Sequence, residues 1–282
     1  MPWYISLQLV SFVLAMAAGF MYNNVCDAPY DSATKNPISE GVCRKETVTR
    51  LSVLVAAFSI ASFLPFAESL QSVLALLLYI ILWFAYSGAG IRLKETLAGP
   101  FVASWVVWAG GPAVLLINYR LDERPLLLLW ISLFLFYCGN EINHQLGDYE
   151  EDRARSVKTF SVRVGLPIAI IARYSMVVAS MVFMSWTIAP FLNLTYLGYV
   201  SVFIALLLLF GLFELVLYPD VLVRFIRRRS LQDSIGEFKK TSRRSPFIMM
   251  KLLLIIFVIV SVGIGIWIGL AMLWILVTSK RT

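Results

Sequence analysis

Eight apolar runs, most of about twenty residues, limit what this chain can fold into. A helix rises 1.5 Å per residue, so roughly 20 apolar residues cross the ~30 Å hydrocarbon core of a bilayer. The runs fall near 3–22, 51–70, 73–91, 100–118, 125–144, 165–187, 195–217 and 248–276. Hydrocarbon offers the backbone no hydrogen bonds, so each run is expected to be helical. The chain is 60% hydrophobic and 15% charged, with a mean hydropathy of +0.80. That excludes an ordinary soluble domain and predicts an all-α polytopic transmembrane bundle, read as one domain over 1–282. The first run, Trp3 to Met21, lacks a preceding basic stretch and is not expected to be a cleavable signal peptide. The last run is the longest and is expected to tilt.

The net charge of +7 could point to nucleic acid, but a multi-span chain has a better use for it. Four loops on one side, 23–50, 92–99, 145–164 and 218–247, carry eighteen Lys and Arg. The opposite side carries four: Arg120, Arg124, Lys280 and Arg281. Positive charge stays inside, so the first set is expected to be cytoplasmic. The loop 218–247 reads mainly as an anchor on anionic lipid. Cys26, Cys43 and Cys138 show no metal or redox spacing. The sequon at Asn193-Leu194-Thr195 lies close to the membrane and is expected to be unused. Gly265 and Gly269 permit close helix contact in the last run. Neither internal repeats nor broken mid-membrane helices are evident, which argues against a transporter.

Two Asp-rich clusters stand where apolar runs end, both on the expected cytoplasmic side. One is Asn23-Asn24-Val25-Cys26-Asp27-Ala28-Pro29-Tyr30-Asp31; the other is Asp148-Tyr149-Glu150-Glu151-Asp152. Acids four apart share a helical face and repel unless a cation intervenes. Hard oxygen donors suit Mg²⁺, which bridges one or two carboxylates to a substrate phosphate. A third segment on the same side, Tyr86-Ser87 to Arg92-Leu93-Lys94, offers two cations for a pyrophosphate. His144 stands one turn before Asp148 as an acceptor contact, a base or a helix-end hydrogen-bonding group. Asn140 and Asn143 are polar at membrane depth and are expected to face the bundle interior.

These three segments, in order and suitably spaced, resemble the UbiA superfamily of intramembrane prenyltransferases. Asn23, Asp27 and Asp31 match its first Asp motif, with Lys35 and Asn36-Pro37-Ile38 to Gly41 following. Asp148, Asp152, Thr159 and Gly165 match its second, and Tyr86 to Lys94 its Tyr-Ser segment. The chain departs from the pattern where Asn24 and Gln145 replace Asp and Ser156 replaces a common Gly. Ala89 and Gly90 also replace paired prolines. In the family the first motif follows the second of nine spans; here it follows the first of eight. A start placed too late is the preferred reading, and a missing helix the other.

The resemblance implies a bundle around a central cavity that opens to lipid and is capped by cytoplasmic loops. It implies Mg²⁺ on Asp27, Asp31, Asp148 and Asp152. It implies an isoprenyl diphosphate donor contacted by Asn23, Asn24, Lys35, Arg92, Lys94 and Lys158. Tyr86, Tyr149, Asn140 and His144 are the remaining candidate substrate contacts. The donor would ionise, and its prenyl group would pass to a hydrophobic acceptor such as a quinone precursor or lipid. A membrane terpene cyclase would use the same ionisation without an acceptor. A phosphate-binding transporter or scaffold is the third reading.

Overall fold

A computed structural model describes residues 3–31, 36–88, 90–119, 124–191 and 196–217. Lys35, the loop 218–247 and the run 248–276 lie outside the described residues. Within them the chain is helical without strands: α1 Trp3–Asp27, α2 Lys45–Phe63, α3 Leu70–Ser87, α4 Gly99–Ser104 and α5 Gly110–Asn118. Then follow α6 Arg124–Ala154, the short α7 Phe160–Val164, α8 Leu166–Phe191 and α9 Tyr196–Leu217. A π-helical turn, Trp105–Ala109, fuses α4 and α5 into one apolar rod. Six of the described helical rods are long and apolar enough to cross a membrane. The chain is therefore an integral membrane, multi-pass bundle.

Helix ends differ from the apolar runs for a simple reason. Hydropathy marks where lipid lies, whereas a helix continues until its sequence stops it. α2 begins at Lys45 and not near 51, because Lys45-Glu46-Thr47-Val48-Thr49-Arg50 propagates a helix into water. α6 overruns its apolar run by ten residues. At 31 residues it is about 46 Å long, so its last third, with Asp148 and Asp152, projects past the hydrocarbon. The second span likewise ends at Phe63, where Pro65 opens a 3₁₀ turn, and not near 70.

The bundle is tied together by buried polar pairs. The Ser11 hydroxyl donates to Ser59 O at 2.8 Å, joining α1 to α2. The Ser132 hydroxyl donates to Ser180 O at 2.9 Å, joining α6 to α8. Each pair is 48 positions apart, and the second pair lies 121 positions after the first. The same offset carries Asp27 onto Asp148 and Asp31 onto Asp152. α1 and α6 thus run the same way, and a serine ties each to the helix packed on it.

At the end opposite the acidic clusters, the Gln8 amide donates to Phe66 O at 2.9 Å. It also accepts from the Tyr119 hydroxyl at 2.5 Å. The Asn118 amide donates to Phe66 O at 3.1 Å and accepts from Glu68 N at 2.7 Å. Gln8 and Asn118 are fully buried, so this network fixes α1, α5 and the α2–α3 turn. Near the other end, α1 and α3 meet at Gly19. A Cβ there would lie 2.2 Å from the Trp83 ring, whose indole Phe20 also packs against.

Gly19→Ala is expected to destabilise the bundle by about 1–3 kcal/mol through overpacking against Trp83. Gly211→Ala meets nothing within 4 Å. Thermal denaturation in detergent should lower the midpoint for the first variant and leave or raise it for the second.

Candidate active site

Three helices bring their C-termini to one face: α1 at Asp27, α3 at Ser87 and α6 at Ala154. Unpaired carbonyls give each end about half a negative charge, and acids placed there add to it. The face is therefore built to collect cations.

The first cluster already holds two. Asp27 Oδ1 accepts the Lys94 ammonium in a short ion pair and the Arg92 guanidinium at 3.5 Å. Lys94 also reaches Asn23 Oδ1 at 3.4 Å, the atom that accepts the Ser87 hydroxyl. Arg92 stacks 4.4 Å from the Tyr30 ring centroid and pairs with Glu95 at 2.5 Å. The loop reaches this position through left-handed backbone, with φ +98° at Gly90 and +39° at Arg92. That strain falls on a residue whose charge is used. Asp31 is steadied by Asn36, which is 1% exposed. The Asn36 amide donates to Asp31 Oδ2 at 3.1 Å and to Asn24 O at 2.8 Å. Its carbonyl accepts Ile38 N at 3.0 Å.

In the second cluster, His144 Nδ1 lies 3.1 Å from Asp148 Oδ2. Thr159 holds the N-cap position before α7, yet its hydroxyl makes no cap and goes instead to Asp152 Oδ2 at 3.1 Å. Burial, aided by the Asp148 and Glu151 carboxylates and opposed by Thr159, raises the Asp152 carboxyl to about 6. Ser156, at φ +58°, turns the chain back toward Thr159. A glycine would suit that conformation without strain.

Two arginines lock the clusters together. Arg155 pairs with Glu151 at 2.9 Å and donates to Tyr30 O at 3.1 Å, so it bridges the second cluster to the first. Arg163 Nε donates to Glu95 O at 2.8 Å and to Lys158 O at 2.9 Å, bridging the second cluster to the Arg92–Lys94 loop.

Asn23, Asp27, Asp31, Arg92 and Lys94 thus come together as one group, and His144, Asp148 and Asp152 as another, joined by the arginines. Asn24 takes part through its carbonyl. Asn140, Asn143 and Tyr149 are buried within α6. Lys158 is exposed and contributes its carbonyl. The sequence reading passed over Asn36 as a carboxylate partner, and over Glu141, Arg155 and Arg163. The Glu141 carboxylate lies on α6 within hydrogen-bond reach of the Tyr86 hydroxyl of α3. Its signal was available: it stands seven residues before Asp148 and four before Gln145, on the same helical face.

Among the described residues no three His, Cys, Asp or Glu side chains gather into one metal cage. Mg²⁺ seldom uses such a cage; it keeps waters and takes one or two carboxylates plus substrate phosphates. The donor set fits that habit. Asp148 and Asp152 are close enough to raise the Asp152 carboxyl, a repulsion a cation relieves.

Arg163→Ala should free the Arg92–Lys94 loop and speed trypsin cleavage after Arg92 or Lys94 several-fold. Arg163→Lys, which lacks the planar fork, should restore protection only in part.

Among known proteins, the model of the UbiA prenyltransferase family matches residues 1–222. No curated protein and no solved structure matches the chain.

Proposed function

Because the chain belongs to the UbiA prenyltransferase family, we propose that it takes an isoprenyl diphosphate and transfers the prenyl group to a hydrophobic acceptor within the membrane. The observation that carries this reading is the joining of two acidic clusters and one basic loop at the emergent ends of α1, α3 and α6. In this reading all of 1–282 forms one such domain. In this reading that face lies toward the cytoplasm, which the lysine and arginine bias of the loops favours.

The diphosphate would lie between the clusters. Arg92 and Lys94 are already aimed by Asp27, so turning from that carboxylate to a phosphate oxygen needs little rearrangement. Asp27, Asp31, Asp148 and Asp152 would hold Mg²⁺. Bound there, the ion supplies neutralising charge to the leaving diphosphate. Asn23 would steady Lys94, Asn36 would keep Asp31 oriented, and Thr159 Asp152. The prenyl chain would run down between α4–α5 and α6, along aromatic walls. There Trp108 stacks on Tyr137 at 4.4 Å, and Trp130 on Phe134 at 5.7 Å. Trp105 meets Trp130 edge-on, and the Trp130 indole N–H donates to Ala109 O at 2.9 Å. Such walls exclude water and present ring faces to a carbocation.

The test is diphosphate release by the full chain in detergent with Mg²⁺ and farnesyl or geranylgeranyl diphosphate, with and without a membrane lipid extract. Asp148→Asn and Asp27→Asn keep the side-chain shape and should reduce release by about 10²-fold or more, with the melting behaviour retained. Chelation of Mg²⁺ should abolish release. Unchanged release in both variants would overturn the reading. A cyclic hydrocarbon formed without extract would assign a cyclase instead.

A further inference from the structure

The four aspartates of the two clusters are all engaged. Asp27 meets Lys94 and Arg92, Asp31 meets Asn36, Asp148 meets His144 and Asp152 meets Thr159. A fifth carboxylate, Glu141, is held differently. Its hydrogen bonds come from neutral donors, the Gln145 amide at 3.3 Å and the Tyr86 hydroxyl, and His144 one turn along α6 interacts with it electrostatically. Gln145 is itself fixed, because its carbonyl oxygen accepts Ser161 N at 3.4 Å, which turns its NH₂ toward Glu141. Seven residues along α6 place Glu141 about 10 Å deeper than Asp148. That is below the level where a metal-held diphosphate would sit, and near the first carbons of the chain attached to it.

We propose that Glu141 is the proton acceptor of the coupling step, and that Tyr86 and Gln145 hold a hydroxyl-bearing acceptor against it. This rests on the prenyl-transfer reading above. The allylic C–O bond breaks and its electron pair leaves with the diphosphate. An electron pair of the acceptor then forms the new bond to the allylic carbon. The proton the acceptor gives up, from its hydroxyl or from the attacked ring carbon, passes to a Glu141 carboxylate oxygen and later to water. Glu141 meets the chemical requirement for this step better than the aspartates do. It stands at the depth of the new bond, and its hydrogen-bond partners there are neutral donors and not the Lys and Arg that hold Asp27.

The test follows two products at once. The full chain in detergent is given Mg²⁺, labelled geranylgeranyl diphosphate and a total membrane lipid extract as acceptor source. Released diphosphate, prenylated lipid and prenyl alcohol are measured together. Glu141→Gln keeps the shape and a carbonyl acceptor for Tyr86 but cannot take a proton. It should hold diphosphate release within a few-fold while prenylated lipid falls by about 10²-fold and prenyl alcohol rises. Glu141→Asp should recover part of the coupling, and Tyr86→Phe should reduce it. Coupling by Glu141→Gln at the wild-type rate would overturn the proposal, as would equal loss of release and coupling. Loss of labelled-donor binding in both Glu141→Gln and Tyr86→Phe would make the pair a structural tie and also overturn it. A wild-type chain that releases no diphosphate would instead defeat the prenyl-transfer reading itself.

Discussion

Negative charge gathered at the rim of a hydrocarbon-clad bundle has to find a counter-charge, and that requirement organises this molecule. Helix C-termini and carboxylates point to the same face, where the surrounding dielectric is low enough to make each unpaired charge costly. Asp27 meets the requirement within the chain by collecting Lys94 and Arg92. The loop that carries those cations accepts left-handed backbone at Arg92 to do so. The second cluster meets it with His144 beside Asp148 and Arg155 beside Glu151, while burial raises the Asp152 carboxyl. The difference gives the face a direction: lysine and arginine sit on the aspartate of one side, and histidine and threonine on those of the other.

Much of this could be read without coordinates. Apolar runs located the rods because lipid tolerates little else. The Asp pairs stood out because acids at fixed spacing are rare beside a membrane. What escaped notice was hidden by category. Arg155 and Arg163 were counted with the positive-inside residues, which describes their sign and not their hydrogen bonds. Both arginines spend their donors on backbone carbonyls of other loops, a choice that depends on tertiary approach. Glu141 was passed over because it stands within an otherwise apolar span. Only the approach of the last turn of α3 to α6 shows that it faces a tyrosine. The start of α2 and the overrun of α6 were missed because hydropathy reports solvent and not helix propensity.

The departures from the family pattern also acquire physical meaning. Gly90 stands where paired prolines are usual, and its φ of +98° is one that a proline ring forbids. Ser156 stands where glycine is common and adopts the conformation glycine would favour. Asn36 and Thr159 hold carboxylates of the two clusters that these loops adjoin.

The offset of 121 positions that relates the serine pairs also relates the aspartate pairs. α1 and α6 both run toward the acidic face, so each brings two carboxylates four residues apart to a single mouth. What differs is the surroundings of those carboxylates. One helix meets internal cations beside its aspartates, and the other carries Glu141 two turns below them. A molecule entering that mouth therefore meets unlike groups on its two sides.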